Sequence, residues 1–249
     1  MLLTLVKSLS ATKIRTFLTC PRQYAFRYVE KLEEAGPRPL PLTVGILLHR
    51  SFPLFVERAP TSPADVIDVA ARICSEATDI GTLDELQDAQ SELTGLLLDL
   101  HRHEVQLFDS TCSFEMSLIG RVGPMTIFSR ADVFRWQADF AVIDEIKLSP
   151  PDADAALLQT VCIHVGARQR FPGVPIVHRR IVFRPAISVE EIQLDEPQYR
   201  ATLRLIFDVA KLIARMQEFT ATPSPTACSS CSYAGLCPAA RDSVDATPY

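Results

Sequence analysis

The chain has 249 residues, 47% of them hydrophobic and 22% charged, with a formal net charge of −5. This is globular composition, which excludes a disordered or fibrous chain, and no apolar run nears the roughly 20 residues that span a bilayer. A net negative chain is not a bulk polycation, so nucleic acid could be held only in a local basic groove.

The opening MLLTLVKSLSATKIR has neither the basic region nor the small-residue cleavage site of a secretion signal. It reads as the first strand or turn of the fold, and the expected location is the cytoplasm. Ser10 is a good N-cap for a helix running to about Thr19, and Pro21 suits the first turn of a second helix to Leu32. Residues 33–42 read as a proline-rich loop. A helix is predicted from Thr43 to Glu57, then two or three helical pieces over 62–109, opened by Ser62-Pro63 and interrupted at Gly81. From residue 110 the pattern becomes strand-like: FEMSLIG, PMTIF, ADVFRW and DFAVIDEIKL, separated by short turns. A helix over Asp154–Arg170 and a strand over Ile176–Phe183 follow. Residues 188–218 read as mostly one long helix, and a tail rich in Pro, Ser, Cys and Ala closes the chain. The expected architecture is α/β: a mixed sheet flanked by helices (110–187), a helical N-terminal region (1–109) and a C-terminal region (188–249), all in one compact unit.

The segment AVIDEIKL (141–148) is the most informative. Alternate residues of a strand share a face, so Glu145 and Lys147 project together and Asp144 projects the other way. A hairpin near residue 137 would bring Asp132 alongside Glu145. Two carboxylates and a lysine at one spot suit Mg²⁺ or Mn²⁺, which prefer hard oxygen ligands. Taken alone, the segment also reads as a surface strand carrying a Glu–Lys pair.

Here the sequence resembles the PD-(D/E)XK nuclease superfamily, in the form used by RecB-like exonucleases. Asp132 and Glu145-Ile146-Lys147 match its signature. Gly45-Ile-Leu-Leu-His49 is similar to its upstream helix, whose histidine is a metal ligand, and Gln159 to the glutamine of its downstream motif. Residues 10–24 (SATKIRTFLTCPRQY) are similar to its opening helix and Cys-Pro-Arg. Two positions depart from the pattern: Ser129 stands where a glycine is usual, and Ile163 where a tyrosine is usual. The resemblance implies that His49, Asp132, Glu145 and the Ile146 carbonyl hold the metal, while Lys147 and Gln159 complete the catalytic set.

The seven cysteines are an odd number, and without an export signal clustered cysteines bind metal more often than they pair. Cys228, Cys231 and Cys237 lie within ten residues, and Cys20 is the candidate fourth ligand. Thiolate clusters hold zinc or iron–sulfur centres. The set resembles the [4Fe-4S] staple of AddB-type and CRISPR-associated RecB-like nucleases. Closing a loop of about 200 residues is worth on the order of 5 kcal/mol. Cys74, Cys112 and Cys162 read as small core residues. His101 and His103 are two apart on a helix and so do not share a face, and His164 and His178 have no evident partner in the sequence.

Basic residues cluster near the expected site: Lys13, Arg15, Arg22 and Arg27, then Arg130 and Arg135, then Arg168, Arg170, Arg179, Arg180 and Arg184. Tyr24, Phe26, Tyr28 and Trp136 are interleaved with them, a combination that suits single-stranded nucleic acid. With the Asp132, Glu145-x-Lys147 and His49 set, the resemblance implies a metal-dependent DNA exonuclease or end-trimming nuclease with an iron–sulfur cluster. The resemblance implies partners of two kinds, a CRISPR integrase complex or a helicase, since no Gly-x4-Gly-Lys-Ser/Thr loop supplies a motor here. A non-catalytic iron–sulfur scaffold that binds DNA is the alternative.

Overall fold

The computed structural model describes residues 8–34, 38–103 and 107–240. The opening residues 1–7, part of the proline-rich loop and the last nine residues lie outside the described residues.

A two-residue strand β1 (Ser8–Leu9) leads into α1 (Ala11–Thr19), capped by the Ser10 hydroxyl accepting from the Lys13 N–H at 3.3 Å. The helix predicted from Pro21 to Leu32 is shorter and changes its winding: α2 (Pro21–Tyr24) passes into a π-helical turn, Ala25–Val29, and Lys31 adopts a left-handed φ of 55°. Next comes α3 (Leu40–Arg58), starting three residues earlier than its apolar pattern suggests. The 62–109 region resolves into two helices, α4 (Pro63–Glu76) and α5 (Leu83–Arg102), each opened by a capping box, Ser62 with Asp65 and Thr82 with Glu85.

The sheet contains β2 (Cys112–Val122), β3 (Met125–Trp136), β4 (Ala141–Lys147), β5 (Ile176–Val182) and β6 (Ser188–Ile192), together with β1. PMTIF and ADVFRW, expected as separate runs, are one continuous strand. The expected long helix over 188–218 is also corrected: it divides into β6 and α7 (Glu196–Arg215). β6 pairs antiparallel with β5 from Val182↔Ser188 to His178↔Ile192. Its side chains are mostly exposed, as befits a charged edge strand.

β3 organises the sheet. Along one edge it pairs antiparallel with β2, from Val122↔Met125 to Cys112↔Arg135. Its other edge is shared: β1 pairs parallel at Thr126 and Ile127, and β4 pairs antiparallel from Val133↔Asp144 to Trp136↔Ala141. Between Ile127 and Val133 this edge has no strand partner among the described residues, so the sheet forks there. At the fork the Asp132 carboxylate accepts the Ile146 N–H at 2.8 Å, replacing a ladder bond with a side chain. β4 then reaches β5 through the parallel crossover helix α6 (Ala153–Arg170).

α6 covers one face of the sheet, with α1 and α7 packed beside it; Leu9, Ile14, Phe17, Ile127, Leu158, Val161 and Ile206 share the cluster there. Contact with β2 is close: a Cβ on Gly120 would stand 2.6 Å from Val165 and 2.9 Å from the Gly166 backbone, so only glycine fits. The lobe α3–α5 covers part of the other face, where Leu47, Phe52, Leu97, Val133, Ile146 and Ile181 form the core.

β2 and β3 change face together. Met116, Leu118 and Ala131 belong to the cluster under α6, whereas Phe114 and Val133 belong to the lobe cluster. Strict alternation would place Phe114 with Met116. The residue between them, Glu115, has a φ of +54°, and it lies opposite Asp132 between the pairs Phe114↔Val133 and Met116↔Ala131. This rotation sends Glu115 and Asp132 to the fork.

Candidate active site

His49 comes from α3, Asp132 from β3, and Glu145 and Lys147 from β4, so the lobe and the sheet both contribute. His49 Nδ1 lies 3.7 Å from Asp132 Oδ1 and 3.0 Å from Glu115 Oε1. Ligand atoms of His49, Glu115 and Asp132 all fall within 4.8 Å of one another. One imidazole and two carboxylates at that separation suit a divalent cation with mainly oxygen ligands.

Glu115 is absent from the sequence expectations. No spacing betrays it, because its place depends on a left-handed backbone at a residue that is not glycine. Burial would raise its pKa, but the hydrogen bond with His49 and the charges of His49 and Arg130 lower it overall. Arg130 Nε holds the second oxygen at 2.7 Å.

Glu145 is fully buried, on the α6 side of β4 as strand alternation predicts. Oε1 accepts from the Thr160 hydroxyl, and Oε2 has no hydrogen-bond partner among the described residues. Burial pushes its pKa up; the Thr160 bond and the Lys147 charge oppose this, and Asp132 adds to it. A buried carboxylate oxygen without a partner is expensive, and a cation beside Asp132 is the kind of group that would satisfy it. Lys147 donates from Nζ to Gln159 Oε1 at 2.9 Å, so Gln159 orients the ammonium. The Ile146 backbone meets the site through its N–H, donated to Asp132.

Asp144, on the opposite face, is bound by Arg135 at 3.1 Å and Arg179 at 2.6 Å. This corrects the expectation that both arginines line a groove: they serve a buried ion-pair network on the lobe side. Other expected groove residues are engaged as well, Arg22 with Glu30, Arg27 with Glu34, Arg180 with Glu190 and Arg184 with Glu92. Tyr24 and Phe26 are buried, Tyr24 stacked on Phe219 and Phe26 against Tyr233. His164 and His178 do have partners: each other, Nδ1 to Nε2, at 3.0 Å. Cys74 and Cys162 are buried as expected, and Cys112 is only partly so.

An open cleft of about 600 Å³ leads to the site. Asp132 and Gln159 lie on its wall with Arg15, Ile119, Phe128 and Arg130. Ser129 and Ile163, the two departures from the resembled pattern, line it too. The Ser129 hydroxyl donates to the Cys162 carbonyl at 3.1 Å, tying β3 to α6 where a glycine would leave no bond.

Cys20, Cys228, Cys231 and Cys237 line a separate recess with Phe26, Pro223 and Ala240. Burial pushes the Cys20 thiol up, but hydrogen bonds from Thr222, Gln23 and Arg22 bring it below its ordinary value. Burial raises Cys231, with a further push from Cys20, Cys228 and Cys237. Such mutual repulsion is what a bound metal relieves. The ends of the fold also meet directly here: Thr222 donates to the Thr19 carbonyl at 2.8 Å and Tyr233 to the Leu32 carbonyl at 3.2 Å.

A family model described as the PD-(D/E)XK nuclease superfamily matches residues 8–238. Among solved structures, a candidate exonuclease from Eubacterium rectale is similar with a TM-score of 0.56 and 11% identity, covering 84% of this chain and 81% of that chain. At that identity the likeness is one of fold. The structure of SSO0001 is similar at a TM-score of 0.36 and 18% identity, over 80% of this chain and 97% of that one, and carries no argument here. A search of curated proteins finds no match.

Proposed function

The chain belongs to the PD-(D/E)XK nuclease superfamily, and on that footing we propose that it is a divalent-metal-dependent deoxyribonuclease that trims single-stranded DNA or overhangs. The observation that carries this reading is the convergence of His49, Glu115 and Asp132 within 4.8 Å of one another, at a cleft reaching Gln159, with Glu145 outside that group but close enough for its charge and that of Asp132 to interact.

In this reading His49, Asp132, Glu145 and the Ile146 carbonyl hold Mg²⁺ or Mn²⁺, and Glu115 joins them. When bound, the ion would acidify a water and neutralise charge on a phosphodiester. Lys147, steadied by Gln159, stabilises negative charge developing on the phosphoryl oxygens. Asp132 couples the metal set to β4 through the Ile146 N–H. Hydrolysis adds the water oxygen to phosphorus, breaks one P–O bond and leaves a proton on the departing oxygen.

The four thiols are proposed to hold a [4Fe-4S] cluster with a structural role. The four thiols line one recess, and thiolate sets of this kind hold iron–sulfur centres or zinc. Such a centre belongs in a reducing compartment such as the cytoplasm. The biological setting proposed is spacer-precursor trimming beside a CRISPR integrase, with recombination repair beside a helicase as the other setting of this chemistry.

Incubation of the anaerobically purified chain with labelled single-stranded DNA and Mn²⁺ tests the reading. Cleavage that is abolished by EDTA and lost in Glu145→Ala and Lys147→Ala is the expected result. Undiminished cleavage by either variant, once folded, overturns the assignment.

A further inference from the structure

The cleft contains an apolar pair with no role so far. Ile119 and Phe128 face each other as cross-strand partners on β2 and β3. Their faces are 56% and 46% exposed, although strands in this part of the sheet bury their other sides: Leu118, Ile127 and Gly120 all meet α6 or its neighbours. The lobe covers this second face only from Phe114 and Val133 onward. The half carrying Ile119 and Phe128 is left open.

What borders the pair is charged. Arg15 and Arg130 line the same cleft, and Arg130 is the residue bound to Glu115 of the metal set. Phe128 lies four residues before Asp132 on one strand, which places their Cα atoms about 13 Å apart. An exposed aromatic ring, two guanidinium groups and the Asp132 carboxylate thus share one cleft. This combination suits a polyanion with a planar apolar unit beside each charge. Within a duplex both faces of each base are covered by stacked neighbours, so a protein ring finds no free face there. An unpaired strand offers one at every base.

We propose that Phe128, backed by Ile119, is the platform on which an unpaired base of the substrate stacks close to the cut, and that it gives the site its preference for single strands. The proposal rests on the nuclease reading for its substrate. Arg15 and Arg130 hold the flanking phosphates, and the base lies on the Phe128 ring within a few nucleotides of the metal set.

The test uses the full chain and two variants, Phe128→Ala and Phe128→Trp. Binding of fluorescein-labelled oligothymidylate and of a blunt duplex is followed by anisotropy without divalent cation, and cleavage is then measured with Mn²⁺. Because the side chain is exposed, both variants should melt at the wild-type temperature. Phe128→Ala is expected to weaken single-strand binding about tenfold, the weight of one stacked base, with little effect on the duplex. Phe128→Trp is expected to retain it. Wild-type affinity in Phe128→Ala, or an equal loss for both DNAs, overturns the platform. Selective loss in a protein that cleaves nothing supports the platform and removes the nuclease reading. Metal-dependent cleavage with binding insensitive to Phe128 does the reverse.

Discussion

Asp144 and Glu145 are neighbours on β4, both at 0% exposure, and their partners differ completely. Two arginines bind Asp144. Glu145 has a threonine hydroxyl on one oxygen and, among the described residues, no hydrogen-bond partner on the other. On the proposed reading the two carboxylates divide stability and activity between them within a single dipeptide.

Asp144→Ala should destabilise the protein by about 3–5 kcal/mol, the usual result of leaving buried charge unpaired. Glu145→Gln should leave stability unchanged or slightly raised, because it removes a carboxylate that burial already disfavours, while lowering cleavage at least about 100-fold. Urea denaturation paired with a nuclease assay checks both. A large stability loss in Glu145→Gln would contradict this division.

Glu115→Gln should preserve the fold and raise the Mn²⁺ concentration needed for half-maximal cleavage by at least about tenfold. Titration of the metal against initial rate makes the measurement. A shift in maximal rate with unchanged metal dependence would place Glu115 outside the coordination set.

The thiol site predicts an absorbance near 400 nm in anaerobically purified protein, where zinc is colourless. Cys20→Ser should abolish or weaken the band. It should also lower stability by up to about 5 kcal/mol, the magnitude of closing a loop of about 200 residues. A colourless wild-type protein containing stoichiometric zinc would refute the cluster.

His178 gives the expected pH dependence. Burial, and the neighbouring His164, hold its pKa down at about 3 against an ordinary 6.5. The unfolded chain therefore binds a proton below pH 6.5 that the folded chain refuses until about pH 3. Stability should fall with acidification through that window by up to about 1.4 kcal/mol per pH unit. His178→Gln should flatten the decline in melting temperature between pH 7 and 5.5. An identical slope in the variant would discount the histidine.

The sequence pattern located much of this arrangement. Period-two alternation put Glu145 and Lys147 on one face, and the short turn after Trp136 brought β3 back against β4, so Asp132 could be placed. His49 and Gln159 come from the family resemblance alone; no spacing singles them out. Glu115 stayed hidden because no residue type announces a left-handed turn at a glutamate. β6 is hard to see in the sequence because Val189-Glu190-Glu191 puts charge where an interior strand would not; at an edge such charge is admissible. Arg135 and Arg179 were misplaced for a related reason. Spacing along the chain does not reveal that the Asp144 carboxylate on the far face would claim them.

The shared change of face at Glu115 and Asp132 restricts how the β2–β3 hairpin can drift in length. Deleting one residue from either strand between that point and the turn at Gly123 would invert the half resting on α6 and drive Leu118 or Ile127 outward. Removal of two residues from each arm would shorten the ribbon while keeping both halves in phase. Insertions and deletions tolerated here should consequently arrive in even, matched steps, with Glu115 and Asp132 as their fixed origin.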